Sequence, residues 1–224
     1  MALNKAQTTL GVKIVLIVVA VAMVGFLFPA VFSLFQGNDA QNANTNATQG
    51  TLDQIAAKYN AQVASNDQAL KTDPTNYQTL AAQGNTYFDW ALDVMQAAQK
   101  DQKLVGTDQP MWLSARQFYE RALEATQSDP PLQTDLSIVY FYSGDATAAV
   151  ALATKVTETA PTFAPAWLNL GVFHSALGNT PVAIAAYAKA IELDPTGKTT
   201  NIEYAKQQLT ALKSGSTGTT TTSP

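Results

Sequence analysis

The sequence predicts an all-α fold of repeated helical hairpins, preceded by one transmembrane helix. Three observations support this prediction. Residues 14–35 carry no charge and are almost entirely apolar, residues 51–213 show apolar side chains at three- and four-residue spacing, and part of that region repeats at an offset of 34 residues. Residues 51–213 contain no alternating apolar and polar stretch of the kind that indicates a strand.

The apolar segment 14–35 reads IVLIVVAVAMVGFLFPAVFSLF. As a helix, its 22 residues would be about 33 Å long, enough to cross a hydrocarbon layer of about 30 Å. We interpret it as an uncleaved signal anchor, and cleavage as a signal peptide is the alternative. Lys5 and Lys13 precede the segment, and Lys58 is the first basic residue after it. The positive-inside rule therefore predicts a single-pass protein of the cell membrane, with residues 1–13 cytoplasmic and the helical domain extracytoplasmic.

Two polar segments flank the predicted helical domain. Residues 36–50 (QGNDAQNANTNATQG) lack apolar periodicity and are predicted to form a flexible linker. Residues 214–224 (SGSTGTTTTSP) are predicted to form a disordered tail. The helical domain is therefore predicted to span residues 51–213. Gly and Pro cluster at a few points within it, where turns are predicted.

The repeat is clearest between residues 130–163 and 164–197. At the offset of 34 residues Leu136 falls on Leu170, and Gly144 falls on Gly178. The stretch WLNLGVFH, from residue 167 to residue 174, resembles the W-x2-L-G-x2-Y signature of the tetratricopeptide repeat (TPR) family, with His174 in place of Tyr. This resemblance implies a TPR-type helical-hairpin solenoid.

An earlier and interrupted repeat is predicted at about residues 77–127. Gly84 and Ala115 take the places of the paired small residues, but about 19 additional residues separate them. We interpret the insertion as an extended first helix followed by a loop. A helix before this repeat and a capping helix at 200–213 would cover the two ends of the array.

The TPR resemblance implies a groove that is lined by the first helix of each hairpin and binds a protein or peptide partner. Helix geometry predicts the lining residues as those opposite the packing residues. These candidates are Asn85, Phe88, Asp89, Thr134, Asp135, Ile138, Phe141, Tyr142, Leu168, Asn169, Val172 and Ser175. Because they include no Lys or Arg, an apolar or amphipathic partner segment is expected. The alternative is that Ile138, Phe141 and Val172 pack against neighbouring helices.

The insertion adds Trp90, Met95, Met111 and Trp112 to the sequence. Exposed side chains of this kind would form a patch suited to a partner, whereas packed ones would seal the extended hairpin. The sequence favours the packed arrangement but leaves both open.

The composition argues against metal binding, cofactor binding and nucleic-acid binding. There is no cysteine, one histidine (His174) and a net charge of −4, so no metal site, no cofactor and no nucleic-acid partner are expected. No motif for phosphate binding or for nucleophilic catalysis is present, and neither an enzymatic activity nor a small-molecule substrate is expected. The predicted function is a membrane-anchored TPR scaffold for assembling or recruiting a membrane-associated complex. A structural subunit of a larger membrane complex and a secreted binding module after signal cleavage are the alternatives.

Overall fold

The structure, a computed structural model, describes residues 41–126 and 128–217. These residues form eight α-helices, one 3-10 turn and no strand. The helices are α1 (Gln41–Thr72), α2 (Tyr77–Ala98), α3 (Gln109–Glu124), α4 (Pro130–Tyr142), α5 (Ala146–Thr159), α6 (Ala164–Ala176), α7 (Thr180–Leu193) and α8 (Ile202–Thr217), and the 3-10 turn is Gln102–Leu104. The predicted all-α class is therefore confirmed for the described residues.

The ends of the helices follow from local sequence. Asn76 begins α2, because its side chain accepts a hydrogen bond from the backbone N–H of Thr79 at 2.9 Å. Asp145 begins α5 in the same way through Ala148 N–H, at 3.0 Å. The turns within the last two hairpins contain Gly144 and Gly178, whose φ angles of +92° and +75° favour glycine.

The described residues divide into two compact units. The first unit contains residues 41–132 and Tyr142–Gly144, and the second contains Gln133–Phe141 and residues 145–217. Helix α4 contributes residues to both units.

In the first unit, α2 packs against α1 and α3. Its core is aromatic. Trp112 of α3 is fully buried, meets the ring of Phe88 edge to face at 5.3 Å, and stacks on Tyr142 at 5.1 Å. Gly84 of α2 allows the Tyr119 ring to approach the backbone closely, since a Cβ at residue 84 would collide with that ring.

In the second unit, α6 packs against α5 and α7, and α8 covers α7. Gly171 of α6 lies against the Tyr187 ring of α7, as Gly84 lies against Tyr119 in the first unit. The Tyr187 ring in turn meets Tyr204 of α8 at 6.3 Å, nearly perpendicular to it. The small and aromatic residues of the repeat thus set the helix spacing within each hairpin.

The predicted cell-membrane localisation is overturned. None of the helices in residues 41–126 and 128–217 is both long enough and apolar enough to cross a membrane. The physical reason is that even the longest, α1, has a polar sequence, and α2 places polar residues between its apolar ones. The predicted signal anchor at 14–35 lies outside the described residues, as do residues 1–13.

Three further boundaries differ from the predicted ones or fall outside the description. Helix α1 begins at Gln41, within the range predicted to be a linker, where Ala and Gln are good helix formers. Helix α8 runs to Thr217, four residues beyond the predicted capping helix. The rest of the predicted tail, residues 218–224, lies outside the described residues.

Candidate protein-binding surface

The first helices of the predicted hairpins are α2, α4 and α6. On α6, Gly171 points towards α7, because it contacts Tyr187. Phe173 points to a different side, where its ring stacks on Phe141 of α4 with the centroids 4.8 Å apart. Leu168 precedes Gly171 by three residues and Asn169 precedes Phe173 by four, so helical periodicity places Leu168 next to the α7 side and Asn169 next to the α4 side, with Val172 between them.

In the second unit most of the predicted lining residues are buried. The buried ones on α4 and α6 are Thr134, Asp135, Ile138, Leu168, Asn169 and Val172. Phe141 and Ser175 are half-buried. The stacking of Phe141 on Phe173 supports the packing alternative for this residue. The assignment of the other residues to a binding groove stays a prediction.

Two buried polar atoms of this surface have no hydrogen-bond partner in the described part of the chain. They are Oγ1 of Thr134 on α4 and Nδ2 of Asn169 on α6, and each residue is 1% exposed. An unpaired buried donor or acceptor costs about 1–3 kcal/mol. Both atoms are buried polar groups of the candidate residues: the amide is a hydrogen-bond donor, and the hydroxyl is both donor and acceptor.

In the first unit the predicted lining residues take part in internal contacts. Phe88 lies in the core against Trp112 and Tyr119, which is incompatible with a place in an open groove. Asn85 is exposed and accepts a hydrogen bond from the Tyr119 hydroxyl at 2.6 Å. Asp89 is half-buried, and its backbone carbonyl accepts a hydrogen bond from the Tyr59 hydroxyl at 3.1 Å. Tyr142 stacks on Trp112, as described above.

The charged side chains on the first helices are all acidic. None of α2, α4 and α6 contains a Lys or an Arg, whereas Asp89, Asp93 and Asp135 lie on them. Asp93 is partly compensated by Lys58 of α1, at 3.0 Å. His174 adds no positive charge near neutral pH, because partial burial lowers its pKa further below 6.5. An anionic ligand would therefore find no cation on the first helices.

The four large insertion residues named above are buried or half-buried rather than exposed. Trp112 is fully buried, and its Nε1 donates to the Asp108 carboxylate at 2.7 Å. Trp90 is half-buried between two tyrosine rings, and Met95 and Met111 are also half-buried.

Sequence reasoning missed a row of parallel aromatic rings that joins α1, α2 and α3. The rings follow one another in the order Tyr59, Trp90, Tyr87 and Phe118, with centroid separations of 5.6, 6.0 and 5.7 Å and interplanar angles of 10° or less. The Arg121 guanidinium lies over the last ring at 5.6 Å. The i,i+3 spacing of Tyr87 and Trp90 was the available signal, because residues at that spacing are neighbours on a helix surface.

Comparisons with known proteins agree with this architecture. The tetratricopeptide repeat family profile matches residues 134–198. None of the curated proteins compared with the sequence is a significant match.

Solved structures share the fold at low sequence identity. A crystal structure of MamA matches with a TM-score of 0.56 and 20% identity, over 81% of this chain and 87% of that one. The first TPR of Spaghetti (RPAP3), bound to the HSP90 peptide SRMEEVD, matches with a TM-score of 0.50 and 19% identity, over 65% of this chain and 96% of that one. The first TPR domain of human RPAP3 gives the same TM-score and identity, over 65% and 95% of the two chains. The resemblance seen in the sequence is thereby confirmed: residues 134–198 match the tetratricopeptide repeat family, and the chain shares the fold of these solved structures.

Proposed function

We propose that this protein is a scaffold that binds an uncharged, largely apolar segment of another protein and so helps to assemble a protein complex. The TPR fold is typically a non-enzymatic module for protein interaction, and this supports the general class of function. The choice of an uncharged, apolar partner is supported by the absence of Lys and Arg from α2, α4 and α6.

That absence separates this chain from a binder of acidic peptides. The peptide in the RPAP3 structure, SRMEEVD, ends in acidic residues and a carboxylate. Recognition of carboxylates in proteins relies on Arg and Lys donors. The first helices of this chain carry Asp89, Asp93 and Asp135 instead, so they would repel such a peptide.

The second unit carries the surface that we assign to binding. Ile138 and Val172 supply apolar area, and Asn169 supplies an amide donor that a partner's backbone carbonyl would satisfy. Because no charge pair contributes, the affinity should change little with ionic strength.

The test is a selection of phage-displayed random peptides on the purified full-length chain, followed by affinity measurement on the best peptide. We expect uncharged, apolar peptides, and we expect Asn169→Ala to weaken binding about tenfold, the effect of about 1.4 kcal/mol. Ala188→Ser is the matched control, since Ala188 is exposed on α7 and outside the surface. Selection of peptides with acidic carboxyl termini, or equal binding by Asn169→Ala and the wild type, would contradict the proposal.

A further inference from the structure

The segment that joins α2 to α3 presents two large apolar side chains to solvent. Val105 is 55% exposed and Leu113 is 56% exposed, the highest values among the large apolar residues that the structure describes. Leu104 and Trp112, beside them in the sequence, are fully buried. Single exposed apolar residues are common on protein surfaces, so Val105 and Leu113 indicate a binding surface only together with further observations.

Val105 lies at the tip of a hydrogen-bonded turn. The Thr107 N–H donates to the Leu104 carbonyl at 3.0 Å, and the backbone angles of Val105 (φ −59°, ψ 125°) and Gly106 (φ +84°) are those of a type II turn. The Thr107 hydroxyl donates to the same carbonyl at 2.8 Å, and the buried Leu104 side chain anchors the turn. The turn therefore holds Val105 in place before a partner arrives, which lowers the entropy lost on binding.

Leu113 follows this turn at the start of α3. The backbone N–H of Gln109, the first residue of α3, donates to the Gly106 carbonyl at 3.3 Å. Side chains of a helix tilt towards its N-terminus, so Leu113 covers the first turn of α3, where Gln109 and Pro110 are also exposed. Val105, Pro110 and Leu113 thus supply the exposed apolar area at this end of α3.

Lys100 and Lys103 add positive charge to the same segment. Both side chains are exposed, and neither ammonium group has an ion-pair partner in the part of the chain that the structure describes. The nearby acidic groups are engaged within the chain. Both carboxylate oxygens of Asp101 accept hydrogen bonds, and the Asp108 side chain is buried. The charge most accessible to a partner here is therefore positive, in contrast to the acidic first helices.

The other exposed apolar pair lacks such cations. Leu177 and Val182, at the turn between α6 and α7, are 48% and 45% exposed. The lysine nearest to them in sequence is Lys189, which forms an ion pair with Glu192 at 2.7 Å. Among the described residues, strong apolar exposure and unpaired lysines therefore coincide in the segment between α2 and α3.

We propose that this segment binds an acidic, amphipathic stretch of a partner protein. We name the surface the insertion tip and define it by Lys100, Lys103, Val105, Pro110 and Leu113. Carboxylates of the partner would pair with the two ammonium groups, and its apolar side chains would cover the exposed apolar area. The insertion tip lies in the first unit and the candidate residues of α6 lie in the second, so this inference goes beyond the proposed function and adds a contact of different chemistry.

The test measures binding of the full-length chain to labelled peptides of equal length by fluorescence anisotropy. The peptides are acidic and apolar, basic and apolar, or acidic without apolar residues, and all are amidated so that only side chains supply negative charge. We expect the acidic and apolar peptides to bind best. Raising the ionic strength from about 0.05 M to about 0.5 M should weaken their binding about tenfold, because exposed ion pairs are screened by salt.

Charge reversal at one lysine gives the sharpest comparison. Lys103→Glu should weaken binding of the best acidic peptide about tenfold, and exchanging the acidic residues of the peptide for Lys should restore binding to this variant. Lys155→Glu is the matched control, because Lys155 on α5 is also exposed and the net charge changes equally. Val105→Ala should weaken binding several-fold and leave the circular dichroism spectrum unchanged, since this side chain is largely in water.

Equal weakening by Lys103→Glu and Lys155→Glu would overturn the inference, because binding would then follow net charge alone. Equal binding of acidic and basic peptides, full binding by Val105→Ala, or the absence of any binding peptide would also overturn it. Phosphatidylglycerol vesicles are measured in parallel. Binding to vesicles but to no peptide, lost in Val105→Asp, would assign the insertion tip to a lipid surface instead.

The variant Asn169→Ala separates this inference from the proposed function. It removes the amide of the other surface and should leave binding of the acidic peptides unchanged. Loss of these peptides in Asn169→Ala would place them on the second unit and overturn the inference. Failure of the acidic peptides to bind leaves the selected uncharged peptides, and with them the proposed function, unaffected.

Discussion

Gly171 and Tyr187 are packed so closely that a Cβ on the glycine would lie 2.8 Å from a carbon of the tyrosine ring. The ring has no room to retreat, because Tyr187 is fully buried. Crossing of α6 and α7 at this distance thus depends on a residue without a side chain.

We expect Gly171→Ala to lower the free energy of unfolding by about 1–3 kcal/mol, because overpacking outweighs the gain of up to ~1 kcal/mol in helix propensity. Gly50→Ala is the matched control. Gly50 lies within α1 and has no atom in the way of a Cβ, so the same substitution there should leave stability unchanged or raise it. Urea unfolding followed by circular dichroism gives both values, and a stabilising Gly171→Ala would contradict the packing described.

The second prediction concerns Asp194, whose carboxylate holds the loop between α7 and α8. It accepts hydrogen bonds from the backbone N–H groups of Lys198, Thr199 and Thr200, at 2.7–2.9 Å, and from the Thr199 hydroxyl. Burial alone would raise the pKa of Asp194, but these hydrogen bonds outweigh it and lower the pKa below 3.8. The ionised form is therefore favoured in the folded state.

Since the folded-state pKa is lowered, this stabilisation is complete above the unfolded-state pKa near 3.8 and is lost as the pH falls through the folded value. We expect Asp194→Asn to destabilise the chain by about 1–3 kcal/mol at pH 7 and by less at pH ~3. Denaturant unfolding at the two pH values measures the difference. The exposed Asp53→Asn is the control, expected to change stability by less than about 0.5 kcal/mol. A gap between wild type and Asp194→Asn that does not narrow at low pH would contradict this assignment.

The third prediction compares two tryptophans that both donate through Nε1. Trp112 is fully buried and donates to the Asp108 carboxylate at 2.7 Å, whereas Trp167 is half-buried and donates to the Pro161 carbonyl at 2.9 Å. Trp112→Phe should destabilise the chain by about 2–4 kcal/mol, because it removes buried volume and leaves a buried carboxylate without its donor. Trp167→Phe should cost about 1 kcal/mol or less. Equal effects of the two substitutions on thermal unfolding would contradict the prediction that burial of Trp112 and its hydrogen bond to Asp108 add stability.

The fourth prediction concerns the aromatic row that attaches α1 to the first hairpin. Trp90→Ala removes the ring between Tyr59 and Tyr87 and should destabilise the first unit by about 1–3 kcal/mol. Hydrogen–deuterium exchange should show lost protection in α1 before α2. Val105→Ala, at a side chain that is 55% exposed, serves as the control and should leave the exchange pattern unchanged. Uniform loss of protection across α1, α2 and α3 would contradict the idea that the aromatic row specifically attaches α1 to the hairpin.

The hairpin architecture was predictable because its determinants are local. The 34-residue offset placed Gly144 and Gly178 at equivalent turns, and both adopt positive φ in the structure. The insertion was predictable as a longer first helix, and α2 has 22 residues where α4 and α6 have 13 each.

The binding surface was less predictable, because exposure depends on neighbours that are distant in sequence. Helix periodicity gives the direction in which Phe88 points but not that Trp112 of the insertion packs on it. The localisation prediction rested on residues 14–35, which lie outside the described residues, whereas none of the helices in residues 41–126 and 128–217 could cross a membrane. Residue type and spacing determine a helix face, and the partner of that face is determined by tertiary packing.

The pairing of Gly171 with Tyr187, and of Tyr187 with Tyr204, has a consequence for the order of folding. Each contact joins a helix to the next one along the chain, so little loop entropy opposes its formation. During synthesis, α6 and α7 could close on each other while α8 is still emerging, and α8 would then add to a hairpin that already exists. The last repeat is thus suited to folding vectorially, from its first helix to its cap.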